Sequence, residues 1–273
     1  MAHIVLPTDM SHNALRAAVH GVRLFGAKGN RFTLLHAYLN MNAGSALTLD
    51  LNEVILRAGR EGLDEFEKKL RQEVELGDAQ VKKLVEHGDL PNVIQRVAVE
   101  DGPVDCVVMG TQGASGLKEV LIGSNTADVI DHSPVPVLAV PGESIYREPR
   151  RIVLADDGGK VGASDIRPLL DIARAAGAEI TIVRVVAEDE DPERPVVSRY
   201  DDLLGTIPHT HRTISSANIS GALNDLVDQS DADLVVMLHR HRSLFGELFH
   251  RSASRRLVMH THVPVLVLER RDG

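Results

Sequence analysis

Short runs of apolar, largely β-branched residues recur along this chain, alternating with longer segments in which apolar residues return every three or four positions. Ile4-Val5-Leu6 leads into Pro7-Thr8-Asp9, a strand closing in a turn, and Ser11 stands ahead of a helix-period segment from about Asn13 to Phe25. Gly26 to Asn30 ends that helix, and Phe32 to Ala37 is predicted as a second strand. The loop after Tyr38 leads into a helix ending near Leu76, and Val81 to Val85 forms a third strand. Pro91 suits the first turn of a helix from Asn92 to Glu100. A fourth strand, Cys106 to Met109, a helix from Ser124 to Asp131 and a fifth strand, Val135 to Val140, follow. Several of these strands are apolar at nearly every position, which predicts a parallel sheet covered by helices on both faces.

After Gly142 to Arg151, a segment with Pro149 and three arginines, the pattern restarts. Ile152-Val153-Leu154-Ala155-Asp156-Asp157 repeats the first strand and Ala178 to Val186 the second, which predicts an internal duplication. Asp105 to Gly110 aligns with Asp233 to Leu238, and Val135-Pro136-Val137-Leu138 with Val263-Pro264-Val265-Leu266, both at an offset of 128 residues. The middle of the second copy is shorter, with an acidic loop from Glu188 to Glu193 in place of the long helix. The expected domains are residues 1–142 and 150–273.

Composition narrows the function classes. With 43% apolar and 25% charged residues, the 273-residue chain has an ordinary globular balance. A net charge of −9 without a long basic run argues against nucleic acid or an anionic membrane as the main partner. No apolar segment approaches the roughly 18 residues of a membrane span, and the N-terminus lacks the charged start of a secretory signal. One cysteine, Cys106, forms no internal disulfide, in keeping with a reducing compartment. A cytoplasmic location is expected.

The chemistry concentrates after the fourth strand. Gly110, Gly113 and Gly123 let backbone N–H groups approach a ligand, and Ser124 opens a helix whose N-terminus favours an anion and which it is placed to cap. At the 128-residue offset the second copy has Leu238, His241, Arg251 and Ser252 in these positions, so all three glycines are lost. The second copy is therefore expected not to cradle phosphate through its backbone. Its cations His239, Arg240, His241, Arg242, His250 and Arg251 offer an alternative, side-chain route to an anion. The pairs His239/His241 and His260/His262 lack the paired spacing of a four-ligand zinc site, so no metal ligands are assigned.

These residues resemble the universal stress protein family in its tandem two-domain form, over nearly the whole chain. The family's ATP-binding signature is glycine, two residues, glycine, nine residues, glycine, then serine or threonine, and Gly110, Gly113, Gly123 and Ser124 satisfy it. The resemblance implies an α/β fold of two tandem Rossmann-like domains, each a five-stranded parallel sheet flanked by helices. It also implies an adenine nucleotide at the carboxyl ends of the strands, ATP with Mg²⁺ as its counter-ion. Asp9 would then contact the nucleoside, Ala37 would border the base and Met109 would pack nearby. Gly110 and Gly113 would approach ribose and phosphates, and Gly123, Ser124 and Asn125 would receive the phosphates. Two positions depart from the family pattern: Met10 stands where glycine commonly follows the aspartate, and Asn125 where an apolar residue follows the serine.

Binding rather than turnover is the expected chemistry, because no P-loop lysine follows the glycines and no acid–base pair can be assigned. A slow ATPase or nucleotidyl-transfer enzyme using Asp9, Lys118 and Ser124 is the alternative, and a nucleotide-independent interaction protein a third. The resemblance further implies pairing through the fifth strands, Val135 to Val140 with Val263 to Leu268, inside one chain as a pseudo-dimer or between chains as a homodimer. The stress signal and the downstream partner are not encoded in any motif.

Overall fold

In the computed structural model, residues 1–39, 47–111, 124–156, 158, 160–186, 200–239 and 261–269 are described. The chain divides into two compact units, Met1–Gly142 and Glu143–Gly273. Both are α/β, as the alternating pattern predicts.

The first unit runs β1 (His3–Pro7), α1 (His12–Phe25), β2 (Arg31–Tyr38), α2 (Leu47–Glu73), β3 (Gln80–His87), α3 (Leu90–Glu100), β4 (Cys106–Gly110), α4 (Ser124–His132) and β5 (Val137–Val140). Its strands are parallel in the order β3-β2-β1-β4-β5, so the order reverses between β1 and β4. Ile4, Val5, Phe32, Leu34, Leu35 and Val107 are all 0% exposed and form the centre of the core. Helix starts follow local chemistry: Ser11 accepts from the Ala14 N–H at 3.2 Å to cap α1, and Asp89 accepts from the Asn92 N–H at 3.2 Å to cap α3.

The second unit runs β6 (Arg151–Asp156), α5 (Arg167–Ala176), β7 (Glu179–Val186), α6 (Asp201–Leu204), β8 (His209–Ser215), α7 (Ile219–Ser230), β9 (Leu234–His239) and β10 (Val265–Glu269). Its parallel order, β8-β7-β6-β9-β10, reproduces that of the first unit. The four-residue α6 stands between the second and third strands, where the first unit has the 27-residue α2.

The duplication extends to single hydrogen bonds. The carboxylate of Asp105, just ahead of β4, accepts from the His3 N–H at 2.8 Å. Asp233, just ahead of β9, accepts from the Arg151 N–H at 3.0 Å. The two prolines of the Val-Pro-Val segments also share a role. Proline has no N–H to donate, and the strand begins after it: β5 starts at Val137, two residues beyond the expected Val135. The proline carbonyls still join the ladder, Pro136 accepting from Val107 at 2.8 Å and Pro264 from Val235 at 3.0 Å. The long helix stops at Glu73, short of the expected Leu76. Leu76 is buried in the following turn, where its carbonyl accepts from Ala79 at 2.8 Å and Gly77 takes a positive φ.

Candidate functional site

The carboxyl ends of β2, β1 and β4 lie side by side in the first unit, at the reversal of strand order where open α/β sheets hold ligands. Ile4 is opposite Cys106, and continuing that register brings Thr8 level with Gly110. On the other side, the Thr8 N–H donates to the Leu35 carbonyl at 2.8 Å, and His36 Nδ1 lies 2.9 Å from the Thr8 carbonyl oxygen. Ala37 follows His36 near the end of β2. Asp9 and Ala37 therefore stand on adjacent strand ends, with Gly110 across β1 from Ala37.

Asp9 is exposed, and its Oδ1 accepts from the Ser11 N–H at 3.0 Å, which directs the carboxylate over the start of α1. Thr8 supports the same turn by accepting from the Met10 N–H at 2.8 Å. Met10 itself has a φ of 64°, the left-handed region that glycine enters without cost and that other residues enter at about 1–2 kcal/mol. This explains why glycine commonly occupies the position. Its side chain is accommodated by a glycine elsewhere, for a Cβ on Gly62 of α2 would come within 2.1 Å of the Met10 sulfur.

Gly110 ends β4, and Met109, before it, is buried at 5% exposure. The Thr126 hydroxyl donates to the Gly110 carbonyl at 2.8 Å, tying the first turn of α4 to the end of β4. That tie brings the start of α4, at Ser124 and the exposed Asn125, next to the strand end. Ser124 is thus the first residue of the helix, rather than the cap ahead of it. Gly113, Gly123 and Lys118 lie outside the described residues, as does the Ser124 side chain. Thr8, His36 and Thr126 have no place in the glycine signature. Their signal is position: each sits on, or one turn beyond, a strand end already marked by Asp9, Ala37 or Gly110.

Gly110 has a second reason to be glycine, which is packing rather than approach to a ligand. A Cβ there would meet the Asn13 carbonyl oxygen of α1 at 3.2 Å, while a Cβ on Gly21 of α1 would meet Val108 of β4 at 3.2 Å. These two glycines let α1 lie close against β4. Counting from the C-cap glycines Gly26 and Gly177, the second unit has Ile172 in place of Gly21, and Leu238 stands in place of Gly110. Its helix α5 has 10 residues against 14 in α1, and the missing turn is the one that carries Asn13.

The equivalent corner of the second unit is filled. By the β1–β2 and β6–β7 registers, Asp156 stands where Thr8 does and Arg184 where His36 does. Asp156 is 1% exposed. It accepts from Arg184 Nε at 3.0 Å and again from Nη2, from the Gly158 N–H at 2.9 Å and from the Tyr200 hydroxyl at 3.4 Å. An ion pair of a buried carboxylate and a partly exposed guanidinium thus occupies the strand ends. Asp157, the counterpart of Asp9, lies outside the described residues. A shallow cavity of about 500 Å³ in the same unit, lined by Glu148, Arg150, Arg151 and Asp233 among others, lies at the opposite strand ends and contains its own neutralising ion pairs.

A model of the universal stress protein family matches residues 1–141 and, separately, 148–269. The chain belongs to the universal stress protein family. Universal stress protein MJ0577 of Methanocaldococcus jannaschii is 30% identical over 154 residues, which is 50% of this chain and 93% of that protein. Universal stress protein YxiE of Bacillus subtilis is 30% identical over 141 residues, 49% of this chain and 92% of its own length. A universal stress protein from Archaeoglobus fulgidus, of known crystal structure, has the same fold over 99% of this chain and 97% of its own, with a TM-score of 0.74 and 22% identity. The two matches on one chain make this a tandem universal stress protein of Rossmann-like fold. Among the described residues no helix is long and apolar enough to cross a membrane.

Proposed function

We propose that this tandem universal stress protein is a cytoplasmic regulator that binds ATP, with Mg²⁺ as counter-ion, at a single site in its first unit. Asp9 holds the ribose, Ala37 and Met109 border the nucleoside, and Gly110, Gly113, Gly123, Ser124 and Asn125 receive the phosphates. The observation that carries this reading is the contrast between the two copies. The first has an exposed carboxylate beside a glycine signature and a helix start. In the second, the glycines are replaced and the corner holds the Asp156–Arg184 pair. Gly110 alone is weak support, given its packing role, so the weight rests on Gly123 and Asp9.

Mass spectrometry of nucleotide retained after gentle purification, followed by calorimetry with ATP, ADP and cAMP, tests this reading. One ATP per chain is expected, with binding lost in Gly123→Arg, the residue of the second copy, and weakened at least tenfold in Asp9→Asn. Two equivalents, or none, overturn it. Turnover near 1 s⁻¹ or faster favours the enzymatic alternative over pure binding.

Partner choice belongs to the same proposal. Among the described residues of its own unit, each fifth strand pairs on one side, β5 with β4 and β10 with β9. An apolar sheet edge needs cover, and pairing of these two strands, in one chain or between chains, supplies it. One cysteine introduced on each strand should crosslink on mild oxidation, and the mass of the product tells the two arrangements apart. No crosslink in any pairing removes the idea.

A further inference from the structure

The second unit carries a convergence of side chains remote in character from the nucleotide signature. His209 and His211 are two residues apart on β8, so both rings leave the same face of the strand. Asp201, the first residue of α6, meets them there. Its Oδ1 lies 2.9 Å from His209 Nε2 and 2.8 Å from His211 Nε2. The rings stand at 83° with centroids 5.8 Å apart, and one potential ligand atom from each of the three residues falls within 4.8 Å of the others. His209 is held from behind, because its Nδ1 lies 2.7 Å from the Ile207 carbonyl oxygen. That bond sets the ring's orientation and turns Nε2 toward Asp201, as outer hydrogen bonds do for metal-binding imidazoles. The chain just ahead of Asp201 is anchored too. Tyr200, immediately before α6, is 2% exposed and its hydroxyl donates to Asp156 at 3.4 Å.

We infer that Asp201, His209 and His211 form a binding site for a divalent transition-metal ion, with Zn²⁺ the ion that suits it best. Two imidazole nitrogens and one carboxylate oxygen are ordinary zinc ligands at about 2.0–2.2 Å, and a four-coordinate ion keeps one position for water. Nitrogen ligands disfavour Mg²⁺ and Ca²⁺, which take oxygen. The present contacts are hydrogen-bonded, and the ion replaces a proton. With Nδ1–H donated to Ile207, Nε2 of His209 can hydrogen-bond to a carboxylate only while protonated, and that proton leaves when the metal takes its place. Asp201, with a side chain 53% exposed, has room to turn toward the ion. Bound metal would join α6 to β8, the edge strand of this unit's sheet, and so hold an element of only four residues in place.

The test uses the full chain, stripped with a chelator and titrated with Zn²⁺ alone against a chromophoric competitor. One equivalent of Zn²⁺ is expected, with a rise in the thermal midpoint. Affinity should fall at least a hundredfold in His209→Gln/His211→Gln and at least tenfold in Asp201→Asn. His262→Gln, whose ring pairs with Asp228 elsewhere in the unit, should leave it unchanged. Co²⁺ substitution should give visible absorption bands of low coordination number that vanish in the double variant. The proposal is overturned if the folded double variant, checked by circular dichroism, binds Zn²⁺ as the parent does. Loss of binding only in His239→Gln/His241→Gln overturns it equally, because the ion then sits elsewhere. ATP stoichiometry, measured on the same samples, separates failure of this proposal from failure of the nucleotide reading.

Discussion

His20 on α1 is a buried imidazole whose titration couples the first unit to pH. Burial, reinforced by the nearby Arg23 cation, lowers its pKa from the ordinary value of 6.5 to about 4. The folded state therefore holds His20 neutral in a range where the unfolded chain protonates it. Its contribution to stability is complete above about pH 6.5 and is lost as the pH falls toward 4, by up to about 3 kcal/mol. His3, lowered by burial and by the Arg31 charge, acts in the same direction. We expect the urea midpoint of the parent to fall between pH 7 and pH 5 and that of His20→Leu to fall distinctly less; parallel falls would exclude His20 as the cause. The pattern of α1 was legible in the sequence, but the burial of this histidine was not, because a polar residue on an apolar face carries no local signal of what packs over it. Gly110 shows the same limit. Its spacing announced a ligand loop, whereas its approach to the Asn13 carbonyl depends on α1, which is almost a hundred positions distant in sequence. Met10 was visible as a departure from the family, and only its φ of 64° gave the departure a physical meaning.

At the scale of elements, the strands and most helices could be read from periodicity because parallel strands buried on both faces are apolar almost throughout. The second unit's α5, β8 and α7 were harder. β8 alternates weakly at its sheet edge, and α5 has lost a turn relative to its counterpart. The contact that joins strand to helix at the candidate site, from Thr126 to Gly110, was also invisible, since a threonine in the first turn of a helix is unremarkable by composition. Thr126 is 3% exposed, so its hydroxyl needs the Gly110 carbonyl as partner, and the carbonyl is held in turn. Thr126→Val keeps the shape and removes the bond. It should destabilise the first unit by about 1–2 kcal/mol, as expected when a buried hydrogen bond is broken on one side. If the bond also positions the end of α4 proposed to receive phosphate, ATP affinity measured on the folded variant should fall several-fold while Thr126→Ser stays near the parent. An unchanged affinity in a destabilised Thr126→Val would make the contact purely structural.

Across the whole molecule, one fold has been used twice with different contents at the same strand ends. The shared parts are those that build the sheet: the Asp105 and Asp233 carboxylates on the opening strands, and the proline carbonyls beside the fourth strands. The parts that differ stand at the carboxyl ends of the strands, Thr8 and His36 in one unit against Asp156 and Arg184 in the other. An ion pair of this kind is costly to break from one side. Among the described residues, Arg184→Gln leaves the Asp156 carboxylate, 1% exposed, with the neutral donors of Gly158 and Tyr200. We expect a loss of about 3–5 kcal/mol in the second unit. Replacing both partners by the residues of the first unit, Asp156→Thr/Arg184→His, removes the charge altogether and should recover part of that loss. The chain has no tryptophan and three tyrosines. Tyr200, buried against Asp156, therefore makes near-ultraviolet circular dichroism a reporter of this corner during urea unfolding. The stoichiometry of ATP should stay at one in both variants, since the double replacement removes the ion pair without restoring the three glycines. If the single variant unfolds like the parent, the pair does not hold the unit together. If the double variant gains a second ATP, the ion pair, rather than the lost glycines, is what silenced the second copy.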